Sequence, residues 1–136
     1  MVFDHVGIFT PTLEKGRDFF DNLIQINRTS IIFNDVNMKV SIQFLYDQSG
    51  ICYELVAPLG EFSPITNSLN TKKNILNHLA YKTNDLERDM LNLLKKRCAQ
   101  IMPPQEALAF NGSKVVFFLT PLNFIIELIE SKNISV

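Results

Sequence analysis

The sequence predicts an α+β fold made of two tandem β-α-β-β modules, each with a possible extra strand, whose mixed sheets curl around a cleft with helices on the convex side. Three observations predict it. First, Asp4-His5-Val6-Gly7-Ile8-Phe9-Thr10-Pro11-Thr12-Leu13-Glu14 repeats without a gap as Asn77-His78-Leu79-Ala80-Tyr81-Lys82-Thr83-Asn84-Asp85-Leu86-Glu87, shifted by 73 residues. His5, Thr10, Leu13 and Glu14 recur as His78, Thr83, Leu86 and Glu87. Second, at the same shift Tyr53-Glu54-Leu55-Val56 falls on Ile126-Glu127-Leu128-Ile129, so each copy begins with a His and ends with a Glu 49 residues later. Third, each copy runs through the same order of β-rich, helical and β-rich patterns.

Val2–Phe9 reads as a strand, with Phe3, His5, Gly7 and Phe9 on one face. Gly7 serves either close backbone packing or room for a ligand. Thr10-Pro11-Thr12 stops the strand and opens a helix over Leu13–Ile24, whose apolar stripe is Leu13, Phe19, Phe20, Leu23 and Ile24. Thr29–Phe33 is a weaker strand. Lys39–Tyr46 and Ile51–Val56 read as a hairpin closed by Asp47-Gln48-Ser49-Gly50. Cys52, Glu54 and Val56 share one face of the second strand, and Ser41, Gln43 and Leu45 share one face of the first. The turn length does not decide which of the two faces of the first strand lies beside Glu54. Cys52 reads as a small buried thiol rather than a soft ligand. Residues 61–74 link the copies, with Ser63-Pro64 opening a short helix over Ile65–Leu69. Ile75–Thr83 is the strand that carries His78. Asn84 is the expected N-cap, with Glu87 three residues on, of a helix over about Asp85–Arg97 that turns Leu86, Met90, Leu93 and Leu94 inward. Gln105–Gly112 reads as a loop, Lys114–Leu119 and Phe124–Glu130 as strands, and Ser131–Val136 as a frayed tail. The chain is one domain, 1–136, with module one at about 1–60 and module two at about 75–131.

Composition narrows the function. A net charge of −1 with no basic run excludes a phosphate-backbone footprint, so no nucleic-acid partner is expected. No apolar run approaches the roughly 18 residues of a membrane helix. The N-terminus lacks the basic and apolar regions of a secretory signal. Two cysteines, Cys52 and Cys98, fit reduced thiols in a cytoplasmic protein better than a disulfide scaffold.

The chemistry lies in the repeated His and Glu. Duplicated modules facing one another across a pseudo-two-fold bring equivalent positions together. Two His and two Glu would then form a mixed nitrogen and oxygen metal site, suited to Zn, Cu, Fe, Ni or Mn. The competing explanation is that repeats also keep core positions. Isolated buried carboxylates are costly unless paired or metal-bound, and two His–Glu pairs at one spacing favour the metal.

With Asp4-His5-Val6-Gly7, Glu54-Leu55-Val56-Ala57-Pro58-Leu59-Gly60, Asn77-His78-Leu79-Ala80 and Ile126-Glu127-Leu128, the chain resembles the vicinal oxygen chelate superfamily (glyoxalase, bleomycin-resistance and extradiol dioxygenase proteins) over nearly its whole length. The resemblance implies tandem βαβββ modules around a metal cleft, with His5, Glu54, His78 and Glu127 as ligands of one divalent ion (Co, Ni, Mn or Zn). Within the superfamily the sequence is most similar to the methylmalonyl-CoA epimerases, through Glu54–Gly60 followed by Ser63-Pro64-Ile65 and through Gly112 with Lys114–Leu119. That likeness implies a metal-dependent isomerase that removes and returns a proton beside the carbonyl of an acyl-CoA thioester. Glu127 would serve as ligand and catalytic base, Gly7, Ser41, Gln43 and Thr120 would line the substrate pocket, and the protein would be a cytoplasmic homodimer. The sequence departs from the epimerase pattern in three ways. Asn77 replaces a second His, Thr120 precedes Pro121 where the epimerases have His, and the following loop is shortened to Leu122-Asn123. The strand that bears a proposed second base in some epimerases here carries Ser41 and Gln43, neither a strong base. A glyoxalase I-like lactoylglutathione lyase acting on a thiol adduct, or a non-catalytic small-molecule binding protein, are the alternatives on the same fold.

Overall fold

The structure, a computed structural model, describes residues 1–131. Within them the chain forms a mixed α+β fold of ten strands, mostly antiparallel, with few helices. It divides into two compact units, residues 5–77 and residues 1–4 with 78 onward. Among the described residues no helix is long and apolar enough to cross a membrane.

In the unit of residues 5–77, β1 (Val2–Phe9, of which Val2–Asp4 belong to the other unit) pairs in parallel with β5 (Cys52–Pro58). Antiparallel to β5 runs β4 (Val40–Asp47), which in turn carries β2 (Ile26–Thr29) and β3 (Phe33–Asp35). The expected strand over Thr29–Phe33 is thus divided. Ser30 leaves the ladder there while its backbone and hydroxyl bind Phe44, and Ile31 and Ile32 are exposed. Helix α1 (Leu13–Leu23) starts at Thr12, whose hydroxyl accepts the Lys15 N–H at 3.1 Å. It packs Leu13 and Phe20 against Leu45, Leu55, Ala57 and Tyr53. The expected stripe is too wide, because Phe19 and Leu23 are 62% and 59% exposed. At 100° per residue Phe19 lies about 60° beyond Gly16, off the face that holds Leu13, Gly16 and Phe20, and Leu23 is the last residue of the helix. A short helix α2 (Thr66–Thr71) lies in the linker.

The other unit repeats this plan. Its strand β6 (Leu76–Thr83) pairs in parallel with β10 (Ile125–Glu130). Antiparallel to β10 runs β9 (Lys114–Leu119), which carries the two-residue strands β7 (Ala99–Gln100) and β8 (Gln105–Glu106). The expected loop over Gln105–Gly112 therefore contains β8 and a 3-10 turn at Leu108–Phe110. These pieces are too short to show a period in sequence. Helix α3 (Leu86–Lys95) is capped by Asp85, whose carboxylate accepts the Arg88 N–H at 3.1 Å. The expected cap, Asn84, lies one residue too early, because the Thr83 hydroxyl takes the Asp85 N–H and ends the strand there. Leu86, Met90 and Leu93 pack on Val116, Phe118 and Leu128, while Leu94 is 45% exposed and not inward as expected. The frayed tail expected over Ser131–Val136 falls, beyond Ser131, outside the described residues.

The 73-residue shift carries the start of α1 onto α3 (13 to 86), β2 onto β7 (26 to 99) and β5 onto β10 (52 to 125). One repeat position is filled in two ways. Gly16 sits where a Cβ would lie 3.0 Å from Leu55 Cδ1 and 3.2 Å from the Thr10 side chain, so bare backbone brings the helix onto the sheet. Its counterpart Asp89 is a buried carboxylate that accepts the Thr83 hydroxyl and the Arg88 guanidinium. Burial raises the Asp89 carboxyl, but the Arg88 and Thr83 hydrogen bonds and the Arg88 charge outweigh it and hold it below the usual carboxylate value.

Two outcomes follow for stability. Gly16→Val forces Leu55 and Thr10 apart and lowers unfolding free energy by about 1–3 kcal/mol, read by urea denaturation. A depressed folded-state value means that Asp89 stabilises above its unfolded pKa of about 3.9 and loses that contribution as pH falls through the lower folded value. Asp89→Asn therefore flattens the acid limb of the stability curve below about pH 4; an unchanged acid limb would show that the ion pair carries no folding energy.

Candidate metal centre

Strand register decides which side chains meet. Gly7 stands opposite Glu54 and Glu54 opposite Phe44, so His5, Gly7, Glu54 and Phe44 share one face of their sheet. Leu45, Leu55 and Tyr53 occupy the other face, beneath α1. In the second unit Ala80 stands opposite Glu127 and Glu127 opposite Phe117, so His78, Ala80, Glu127 and Phe117 share a face, with Phe118 and Leu128 turned to α3. In each unit the His–Glu pair lies on the side of the sheet away from the helix.

Each pair is buried and close. His5 is 0% and Glu54 3% exposed, with His5 Nε2 3.6 Å from Glu54 Oε2. His78 is 6% and Glu127 3% exposed, with His78 Nε2 3.2 Å from Glu127 Oε1. The first separation is too long for a hydrogen bond. Two ligands each about 2.1 Å from one ion stand about 3.0 Å apart at a right angle and about 3.4 Å apart at a tetrahedral angle. Both pairs lie close to that range. Imidazole nitrogen with carboxylate oxygen is a donor set that first-row divalent ions accept. Each pair, His5 with Glu54 in one unit and His78 with Glu127 in the other, thus offers donors that could hold a metal ion.

The remaining expected site residues are placed as follows. Gly7 is buried beside Glu54 on the face of the pair. Ser41 and Gln43 lie on the opposite face of β4, opposite Ala57 and Leu55. The Gln43 side-chain oxygen accepts Arg17 of α1 at 2.6 Å, and its amide donates to the Ser30 carbonyl at 2.8 Å. The Ser41 hydroxyl binds the Asn34 side chain at 2.7 Å. Register thus answers what turn length alone left open, and it brings neither residue to Glu54. Thr120 is buried at the end of β9, where its hydroxyl accepts the Leu122 and Phe124 N–H groups and closes the turn into β10. Its repeat counterpart Asp47 does the same for Ser49 and Ile51.

Two residues at the site escaped the sequence reading. Phe44 meets the His5 ring edge-on with centroids 5.7 Å apart, and Phe117 meets the His78 ring in the same way at 5.7 Å. The signal was present, since Phe44 and Phe117 are themselves 73 residues apart.

Comparison with known proteins agrees with this fold. A mitochondrial methylmalonyl-CoA epimerase of Dictyostelium discoideum is 29% identical over 117 residues, covering 84% of this chain and 68% of that protein. A hypothetical protein from Bacillus halodurans has a similar structure, with a TM-score of 0.80 at 21% identity, covering 98% of this chain and 96% of that one. So does a methylmalonyl-CoA epimerase variant of Streptomyces coelicolor, solved in complex with 2-nitronate-propionyl-CoA, with a TM-score of 0.71 at 20% identity and coverage of 96% and 97%. The family model described as glyoxalase/bleomycin resistance protein/dioxygenase superfamily matches residues 4–117. With that match over most of its length, and with the fold of the two structures above, the chain belongs to the glyoxalase/bleomycin resistance/dioxygenase superfamily.

Proposed function

We propose that His5, Glu54, His78 and Glu127 hold one divalent ion, and that the protein is an enzyme that removes and returns a proton at the carbon beside the carbonyl of an acyl-CoA thioester. The observation that carries this reading is the matched pair of buried His–Glu contacts, 3.6 Å and 3.2 Å, on equivalent strands of the repeat. Each pair alone supplies two donors, fewer than the three protein ligands of an ordinary catalytic site, so the reading joins the two pairs around one ion. The likeness to methylmalonyl-CoA epimerases, one of them in complex with an acyl-CoA analogue, supports the substrate class.

When bound, the ion would polarise the substrate carbonyl as a Lewis acid and stabilise the enolate left by loss of the α-proton. Glu127 is the assigned base: its carboxylate takes the α-proton and gives it back. His5 and His78 supply neutral nitrogen donors. Ser41 and Gln43 lie on the far face of β4, so that strand places no second base beside Glu54.

Two measurements test the reading. Protein stripped with chelator takes up about one equivalent of Co(II). Each of His5→Ala, Glu54→Ala and His78→Ala weakens uptake by more than the roughly 10–100-fold typical of losing an outer-shell partner. Unchanged uptake in all three variants would remove the shared site.

In D2O, metal-loaded protein exchanges the α-proton of methylmalonyl-CoA, followed by NMR with Co, Mn, Ni and Zn in turn. Glu127→Gln lowers the rate by about 10²–10⁴-fold with metal still bound. No exchange by metal-loaded wild type would discard the acyl-CoA substrate and turn the search to glyoxalase I-type thiol adducts, which the same donor set would serve.

A further inference from the structure

We propose that Phe44 and Phe117 are positioning residues that set the orientation of the His5 and His78 rings for metal binding; this rests on the four-ligand reading above. A histidine ring turns about a broad, roughly two-fold torsion, so rotamer preference alone does not fix the imidazole plane. Something packed against the ring must do so if Nε2 is to point at an ion. In both units the object packed there is a phenyl ring. Phe44 stands at 70° to the His5 plane and Phe117 at 81° to the His78 plane, each with a centroid separation of 5.7 Å. This is the edge-to-face arrangement that aromatic pairs prefer.

Register adds the second half of the argument. Phe44 is the cross-strand partner of Glu54, and Phe117 is the partner of Glu127. One phenyl ring thus borders both ligands of its pair, and each borders them from the same strand of the repeat. Neither faces the cores beneath the helices, where Leu45 and Phe118, the next residues along, are buried. Phe33 of β3 backs Phe44 with a further edge-on contact at 6.1 Å. An aromatic wall beside both donors also keeps water away, which strengthens the electrostatic interactions of the carboxylates with a cation.

The test compares Phe44→Leu and Phe117→Leu with Phe118→Leu, which removes a buried ring from the helix side. Each is titrated with Co(II) under visible absorption, and the thermal stability of the metal-free protein is measured alongside. A purely structural role moves only the melting temperature. The positioning role predicts Co(II) binding weaker by about tenfold or more in Phe44→Leu and Phe117→Leu, with altered ligand-field bands, as expected for lost outer-shell support. Phe118→Leu then lowers the melting temperature but keeps wild-type affinity and spectrum. Should a leucine variant fail to fold, the more volume-conserving Phe44→Met and Phe117→Met replace it with the same expectation.

Wild-type affinity and spectrum in the Phe44 and Phe117 variants would overturn the inference while leaving the metal site standing. A wild type that takes up no Co(II) would overturn both.

Discussion

Placing a carboxylate inside an apolar sheet is costly unless a partner offsets the lost hydration. This chain does it at Glu54 and Glu127, each 3% exposed, and sets a nearly buried imidazole beside each. Much of the architecture serves that placement. Parallel pairing of β1 with β5, and of β6 with β10, puts the His strand next to the Glu strand in each unit. Small residues, Gly7 and Ala80, stand opposite the carboxylates. The hairpin partners β4 and β9 bring a phenyl ring to the other side of each carboxylate. The helices seal the opposite face with Leu55 and Leu128, both fully buried, so that the site face is free for polar chemistry.

Duplication also shows where the two halves have diverged. The helix-to-strand contact is a glycine in one half and a buried, Arg88-paired aspartate in the other. Gln43 bonded to Arg17 in one half corresponds to Val116 near Met90 in the other. These changes lie on the helix side of each sheet or at its margin. On the opposite face His, Glu and Phe repeat without change. The helix side likewise keeps Leu13 as Leu86 and Leu55 as Leu128, so both core packing and the His–Glu–Phe set are held in register by the repeat.

Much of this was legible in the residues. The repeat at 73, the His and Glu at matched spacing, the β1 strand and the β9 strand all follow from pattern and identity. The errors have physical causes. Phe19, Leu23 and Leu94 look like core by composition, yet only one narrow stripe of a short helix reaches the sheet. Asn84 is as good a cap as Asp85 by residue type, and the Thr83 hydroxyl decides between them. Two-residue strands such as β7 carry no periodic signal and exist only because β9 offers an edge.

The amino-acid sequence by itself determined that two equivalent modules exist and that each begins with a His and ends with a Glu 49 residues later, because identity and spacing are properties of the chain. Only the tertiary structure decided which side chains stand beside them. A strand alternates its faces every residue, and a shift of one place in pairing exchanges the two faces. That register turned Ser41 and Gln43 toward the helix side and Phe44 toward His5 and Glu54. The pairing of β4 with β5 fixes that choice, and it is a relation between two strands rather than a property of either one.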